Sequence, residues 1–158
     1  MTDLGSAPIP PVGLDDRVRG EGDGVIVYAD LGCPHCAAAW EELAARPGLL
    51  AFRHFPVASK HPRSPALHAA AEAAGLQGGF FEMVDAIYAD RGHLDDPHLW
   101  ERARRLGLDL DRFERDRRSD AVGKRVRRDF ESGIRGGVAN TPTVFDACTL
   151  LSEREREF

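Results

Sequence analysis

The chain has 158 residues, 42% of them hydrophobic and 30% charged, which suits one globular domain with a real core and excludes a disulfide scaffold, a collagen-like chain or a mostly disordered tail. A net charge of -5 gives no long-range attraction to a polyanion, so nucleic acid is not an expected partner. Between Glu101 and Glu131 eleven Lys or Arg meet eight Asp or Glu, but the signs interleave (Arg102, Arg104, Arg105, Asp109, Asp111, Arg112), the pattern of solvated helix faces carrying ion pairs.

Residues 1–13 are rich in Pro, Gly and small polar residues and read as an extended arm, with the domain beginning near Leu14. The amino terminus has no unbroken apolar run of the ~7 to 15 residues that a signal peptide needs. Nothing approaches the roughly 20 residues of a membrane span, so a cytoplasmic protein without a membrane partner is expected. Val25-Ile26-Val27-Tyr28-Ala29, between Gly24 and Gly32, is apolar at every position, as in a strand buried on both faces. After Pro34 come good helix formers with Trp40 and Leu43 at i,i+3, stopped by Pro47-Gly48. Leu49 to Phe55 alternates Leu50, Phe52 and His54 against Ala51, Arg53 and Phe55, and predicts a second strand parallel to the first. From Pro65 to Gly133 the pattern is helical, in segments 66–76, 80–89, 97–106, 110–119 and 121–133. In the last of these Val122, Val126 and Phe130 form an i,i+4,i+8 stripe expected to face a core. A loop at Gly136 to Asn140 leads into Thr141 to Phe145, of strand composition. The order strand, helix, strand, helical block, strand defines an α/β domain without repeats.

Cys33-Pro34-His35-Cys36 falls where the first strand hands over to the first helix. A thiol at a helix N-terminus meets unpaired backbone N–H groups and the positive end of the helix dipole, which favour thiolate over thiol. Pro34 suits the first turn, having no N–H to leave unpaired, and stiffens the turn that keeps the two sulfurs at bonding distance. His35 adds a donor, and when protonated a charge, beside the first sulfur. Other uses of the pair fit less well. Structural zinc takes four ligands, and no second CxxC or HxxxH is present, although His54 and His61 are candidates to complete a site. Covalent haem attachment needs His after the second Cys, and residue 37 is Ala.

The sequence resembles the DsbA-like branch of the thioredoxin superfamily over about residues 14–145. The matching segments are Asp30 to Cys36, Phe52-Arg53-His54-Phe55-Pro56 with His61-Pro62, Ala69 to Gly75, and Gly137 to Thr143. The resemblance implies a thioredoxin fold with a helical insertion at about residues 65–133. It implies that Pro142 is cis and faces the Cys pair, and that Thr141 and Pro142 bind substrate, the backbone before the proline pairing with it like an added strand. It also implies a thiol-disulfide oxidoreductase in which Cys33 attacks, Cys36 resolves and His35 stabilises the Cys33 thiolate, acting on protein or small-molecule thiols without a cofactor or metal. Asp30, three residues before Cys33, is a candidate to turn toward the site or cap the turn. Related isomerases and kappa-type glutathione transferases carry Ser where this chain has Cys33.

The match weakens after Phe145. The family continues with a turn, a strand and a covering helix, which residues 146–158, an atypical charged tail, are too short to supply; the C-terminal hairpin strand and helix read as shortened or missing. A sheet edge left open is expected to lower stability or to promote self-association through that edge. Cys148 reads as a spare thiol. The alternatives to an enzyme are a truncated thioredoxin-fold binding domain without turnover and a zinc-binding module.

Overall fold

The computed structural model describes residues 7–147; the expectations for Cys148 and the segment after it lie outside them. Strand β1 is Arg17–Arg19 and strand β2 is Gly24–Ala29, followed by helix α1, Pro34–Ala45, and strand β3, Leu49–His54. Helices α2 (Ser64–Gly75), α3 (Phe80–Ala89), α4 (Asp96–Arg105), α5 (Leu110–Arg117) and α6 (Asp120–Arg135) precede strand β4, Thr143–Asp146. The sheet order is β1-β3-β2-β4. The central pair is parallel, with Val27 opposite Phe52, as a βαβ unit requires. Both outer strands run antiparallel to their neighbours.

Alternation along the two central strands divides the core. Val25, Val27, Leu50 and Phe52 point to a layer built with Leu67, Met83, Ile87, Leu99 and Phe113 of the helices. Ile26, Tyr28, Ala51 and Phe55 point to the other face, with Ile9 and Val138. Each fully buried large apolar side chain in these layers contributes about 1.5–3 kcal/mol. Because both faces are covered, β2 is apolar throughout, as its composition indicates.

The structure adds two features that the sequence does not announce. Strand β1 is only Arg-Val-Arg, yet it forms because both arginines find distant partners. Arg17 donates to Glu72 from Nε at 3.1 Å and Arg19 Nη2 donates to the Ala44 carbonyl at 3.0 Å. The arm before Leu14 is extended but not free: Ile9 is buried in the second layer and Arg53 Nη2 donates to the Pro11 carbonyl at 3.2 Å.

Helix α6 differs from its expected role. Val122 and Val126 are buried, but Phe130 is only partly covered, its ring tilted against Phe55 with centroids 4.7 Å apart, and Ile134 is 54% exposed. The stripe faces the core at its start and a groove at its end, where Phe130 and Ile134 in the last two turns form part of the wall. Gly133 permits the close approach of α6 to the sheet, since a Cβ there would sit 2.8 Å from the Phe55 ring and 2.9 Å from Tyr28. No helix among the described residues is long and apolar enough to cross a membrane.

Candidate active site

Strand β2 ends at Ala29 and delivers a tight turn, Asp30 to Gly32, directly into α1. Cys33 is the N-cap of α1, in extended conformation (φ -86, ψ 126), and Pro34 occupies the first helical turn where its missing N–H costs nothing. The Cys33 N–H donates to the Asp30 carbonyl at 3.1 Å, closing the turn, and Tyr88 donates to the same carbonyl at 3.0 Å. Cys33 and Cys36 are both free thiols. The Thr141-Pro142 peptide bond is cis, and Cys33 Sγ lies 3.8 Å from the Thr141 carbonyl. The tertiary fold thus brings Thr141 to the cysteine pair across more than a hundred residues of sequence.

The two thiols differ electrostatically. Burial pushes the Cys33 thiol up, but hydrogen bonding to Thr141 and Cys36, with the backbone N–H of His35, outweighs it and leaves the pKa below the ordinary thiol value. His35 thus reaches Cys33 through its backbone, while its side chain is exposed. Burial prevails at Cys36 and raises its pKa to about 12, although the Asp30 N–H donates to its sulfur at 3.4 Å. The outer sulfur is therefore readier to ionise than the inner one.

Asp30 does not point its carboxylate at either sulfur. The carboxylate is fully buried and accepts from Ser64 Oγ at 2.5 Å, the Gly32 N–H at 2.9 Å and the Val57 N–H at 2.9 Å. Burial works against its charge, and the nearby His68 ring, followed by Ser64 and the Gly32 N–H, lowers its pKa to about 2. Gly32 makes this possible, because a Cβ there would sit 2.4 Å from Ser64 Oγ.

Behind the turn lies a polar chain absent from the expectations. The Leu31 N–H donates to His68 Nε2 at 2.9 Å, which assigns the proton of the neutral ring to Nδ1. His68 Nδ1 then donates to His54 Nδ1 at 2.7 Å, and His54 Nε2 donates to Glu72 Oε2 at 2.9 Å. Glu72 is held in turn by Arg17. With Nε2 taken by Leu31, the 3.4 Å approach of His68 to Asp30 becomes a hydrogen bond only when the ring is protonated. Burial lowers the His68 pKa to about 4, against the pull of Asp30, so the ring is neutral near pH 7. His54, considered above as a zinc ligand, has both ring nitrogens engaged here and is not available to the cysteines. Its partners were legible only as a His68/Glu72 spacing of four on one helix face.

Cys33, Pro34 and His35 open onto a groove of about 1120 Å³. Its walls are largely apolar, from Phe55, Pro56, Val126, Phe130, Ile134 and Val138, and Thr141 forms part of its rim. His61 lines the groove rather than approaching His54.

A four-stranded sheet with a parallel βαβ centre, a Cys-X-X-Cys pair heading the first helix and a cis proline segment beside it define a thioredoxin-fold domain with a helical insertion. Residues 24–147 match the DSBA-like thioredoxin domain model, and the chain belongs to that family. Among solved structures it is similar to a thioredoxin-like oxidoreductase from Silicibacter pomeroyi DSS-3 (TM-score 0.73, 22% identity, 92% of this chain and 95% of that one). It is also similar to the thiol-disulfide exchange protein alpha-DsbA2 from Wolbachia pipientis (TM-score 0.74, 16% identity, 92% and 88%). A curated relative, the Na(+)/H(+) antiporter NhaA of Herminiimonas arsenicoxydans, is 38% identical over 146 residues, 86% of this chain but 23% of that protein. The chain spans about a quarter of the length of such relatives.

Proposed function

We propose that the protein is a thiol-disulfide oxidoreductase working through Cys33 and Cys36. The observation that carries this reading is the asymmetry of the pair. Cys33, with its pKa lowered, sits at the groove beside Thr141, and Cys36 is held back as a buried thiol with its pKa raised. In the reductive direction the Cys33 thiolate attacks one sulfur of a substrate disulfide, forming a mixed disulfide and releasing the other sulfur as a thiolate. Cys36 then loses its proton and attacks Cys33 Sγ. The Cys33–Cys36 bond forms, the mixed disulfide breaks, and the substrate leaves fully reduced while the protein is oxidised by two electrons. Oxidation of a dithiol substrate is the same path reversed, and the potential of the pair sets the direction. Thr141 and Pro142 serve as the platform for the substrate backbone, Pro34 shapes the turn, and His35 favours the thiolate.

The curated relatives are named for antiport, but the segment they share with this chain falls on its DSBA-like region, so the proposal rests on the cysteine pair and not on those names. The test is mixed-disulfide trapping with a disulfide-bonded protein substrate. Cys36→Ser is expected to accumulate the mixed disulfide and Cys33→Ser to abolish exchange. Turnover that survives Cys33→Ser would overturn the assignment and leave a binding domain as the alternative.

A further inference from the structure

The groove beside Cys33 has a charge character opposite to that of the whole chain. The protein carries a net charge of -5, yet among the described residues no Asp or Glu lines the groove. Its charged or titratable lining groups, apart from Cys33, are His35, Lys60, His61 and Arg127. Lys60 comes from the loop after β3 and Arg127 from α6, and both are exposed.

Like Lys124 and Arg135 of α6, these two cations have no side-chain partner among the described residues, but Lys60 and Arg127 line the groove. On the same helix Arg125 pairs with Asp129 at 2.7 Å and Arg128 reaches Asp15 at 3.3 Å. Arg63, just beyond the Lys60 loop, pairs with Asp96 at 2.7 Å. Neither Lys60 nor Arg127 has a side-chain ion pair or hydrogen bond among the described residues, although Glu131 follows Arg127 by one turn. Cations flanking an apolar groove, with no counterion among the described residues, favour an incoming anion more strongly than paired surface arginines would.

We propose that the groove selects cysteine-bearing peptide segments in which apolar residues are accompanied by a carboxylate close to the cysteine. The apolar side chains would lie on Phe55, Val126 and Phe130, the cysteine would meet Cys33, and the carboxylate would meet Lys60 or Arg127. The inference rests on the exchange reading above and adds the substrate class. Because both cations are exposed, the preference acts chiefly on association and weakens as salt screens it.

The test compares three peptides carrying the same apolar residues and the same mixed disulfide, with Glu, Gln or Lys beside the cysteine. Stopped-flow rates of exchange are measured with the full chain at low and high salt, with a small uncharged disulfide as reference. The Glu peptide is expected to react about tenfold faster than the Gln peptide, the Lys peptide more slowly still, and the spread to shrink at high salt. The double variant Lys60→Glu, Arg127→Glu is expected to invert the order. Equal rates for the three peptides, or a preference for Lys, would overturn the proposal. No exchange even with the uncharged reference would instead overturn the underlying exchange reading. Because the wild-type series alone decides the matter, a variant that failed to fold would not blunt the test.

Discussion

Acidification should weaken this protein through one buried imidazole. His68 is 0% exposed, its Nε2 accepts from the turn that carries Cys33, and its pKa is lowered from 6.5 to about 4. An unfolded chain binds a proton at this position between those two values and the folded chain does not. The contribution is therefore complete above pH 6.5 and is lost as the pH falls through 4. Integrating the linkage relation from pH 7 to pH 5 gives a loss of about 2 kcal/mol, of about 3 kcal/mol available over the whole window. The neighbouring carboxylates act in the same direction but lower. Glu72, held at about 2 by His54 and Arg17 against burial, and Asp30, also lowered, lose their contributions only below the ordinary carboxylate values. Urea unfolding of the wild type and of His68→Gln at pH 7 and pH 5 separates this effect from the other five histidines. The stability gap between the two proteins should shrink by about 2 kcal/mol on going to pH 5. A gap that stays constant would refute a neutral, buried His68.

Two further substitutions probe the scaffold of the site. Glu72→Ala removes the acceptor shared by His54 and Arg17, leaving a buried imidazole N–H without its partner. It should cost about 3 kcal/mol in the same unfolding assay, with Glu72→Gln milder because one amide oxygen can still accept. Gly32→Ala would place a Cβ 2.4 Å from Ser64 Oγ and 3.0 Å from the His61 Cβ, displacing the hydroxyl from Asp30. A loss of about 1–3 kcal/mol is expected, and an unchanged urea midpoint would contradict the packing described for the turn.

Short-range pattern in the chain encodes the centre of the fold. The unbroken apolar run of β2, the two-residue alternation of β3 and the breakers Pro47 and Gly48 place the βαβ unit, and that unit places Cys33 at a helix start. The helical block was legible for the same reason, with every boundary within two residues of that in the structure. The cis proline segment was linked to the cysteines only through family resemblance, because a Thr-Pro at a strand start carries no such signal in its own residues. Tertiary structure alone decided the rest. Arg17 to Arg19 becomes a strand because Glu72 and the Ala44 carbonyl lie where the arginines reach, and Ile9 is buried because α6 and the sheet form a seat for it. His54 is an internal link rather than a ligand because His68 and Glu72 arrive from another element. Local periodicity says which face of an element is apolar, but not which distant partner meets it or how much of that face is left uncovered. That second quantity made the end of α6 the wall of a groove.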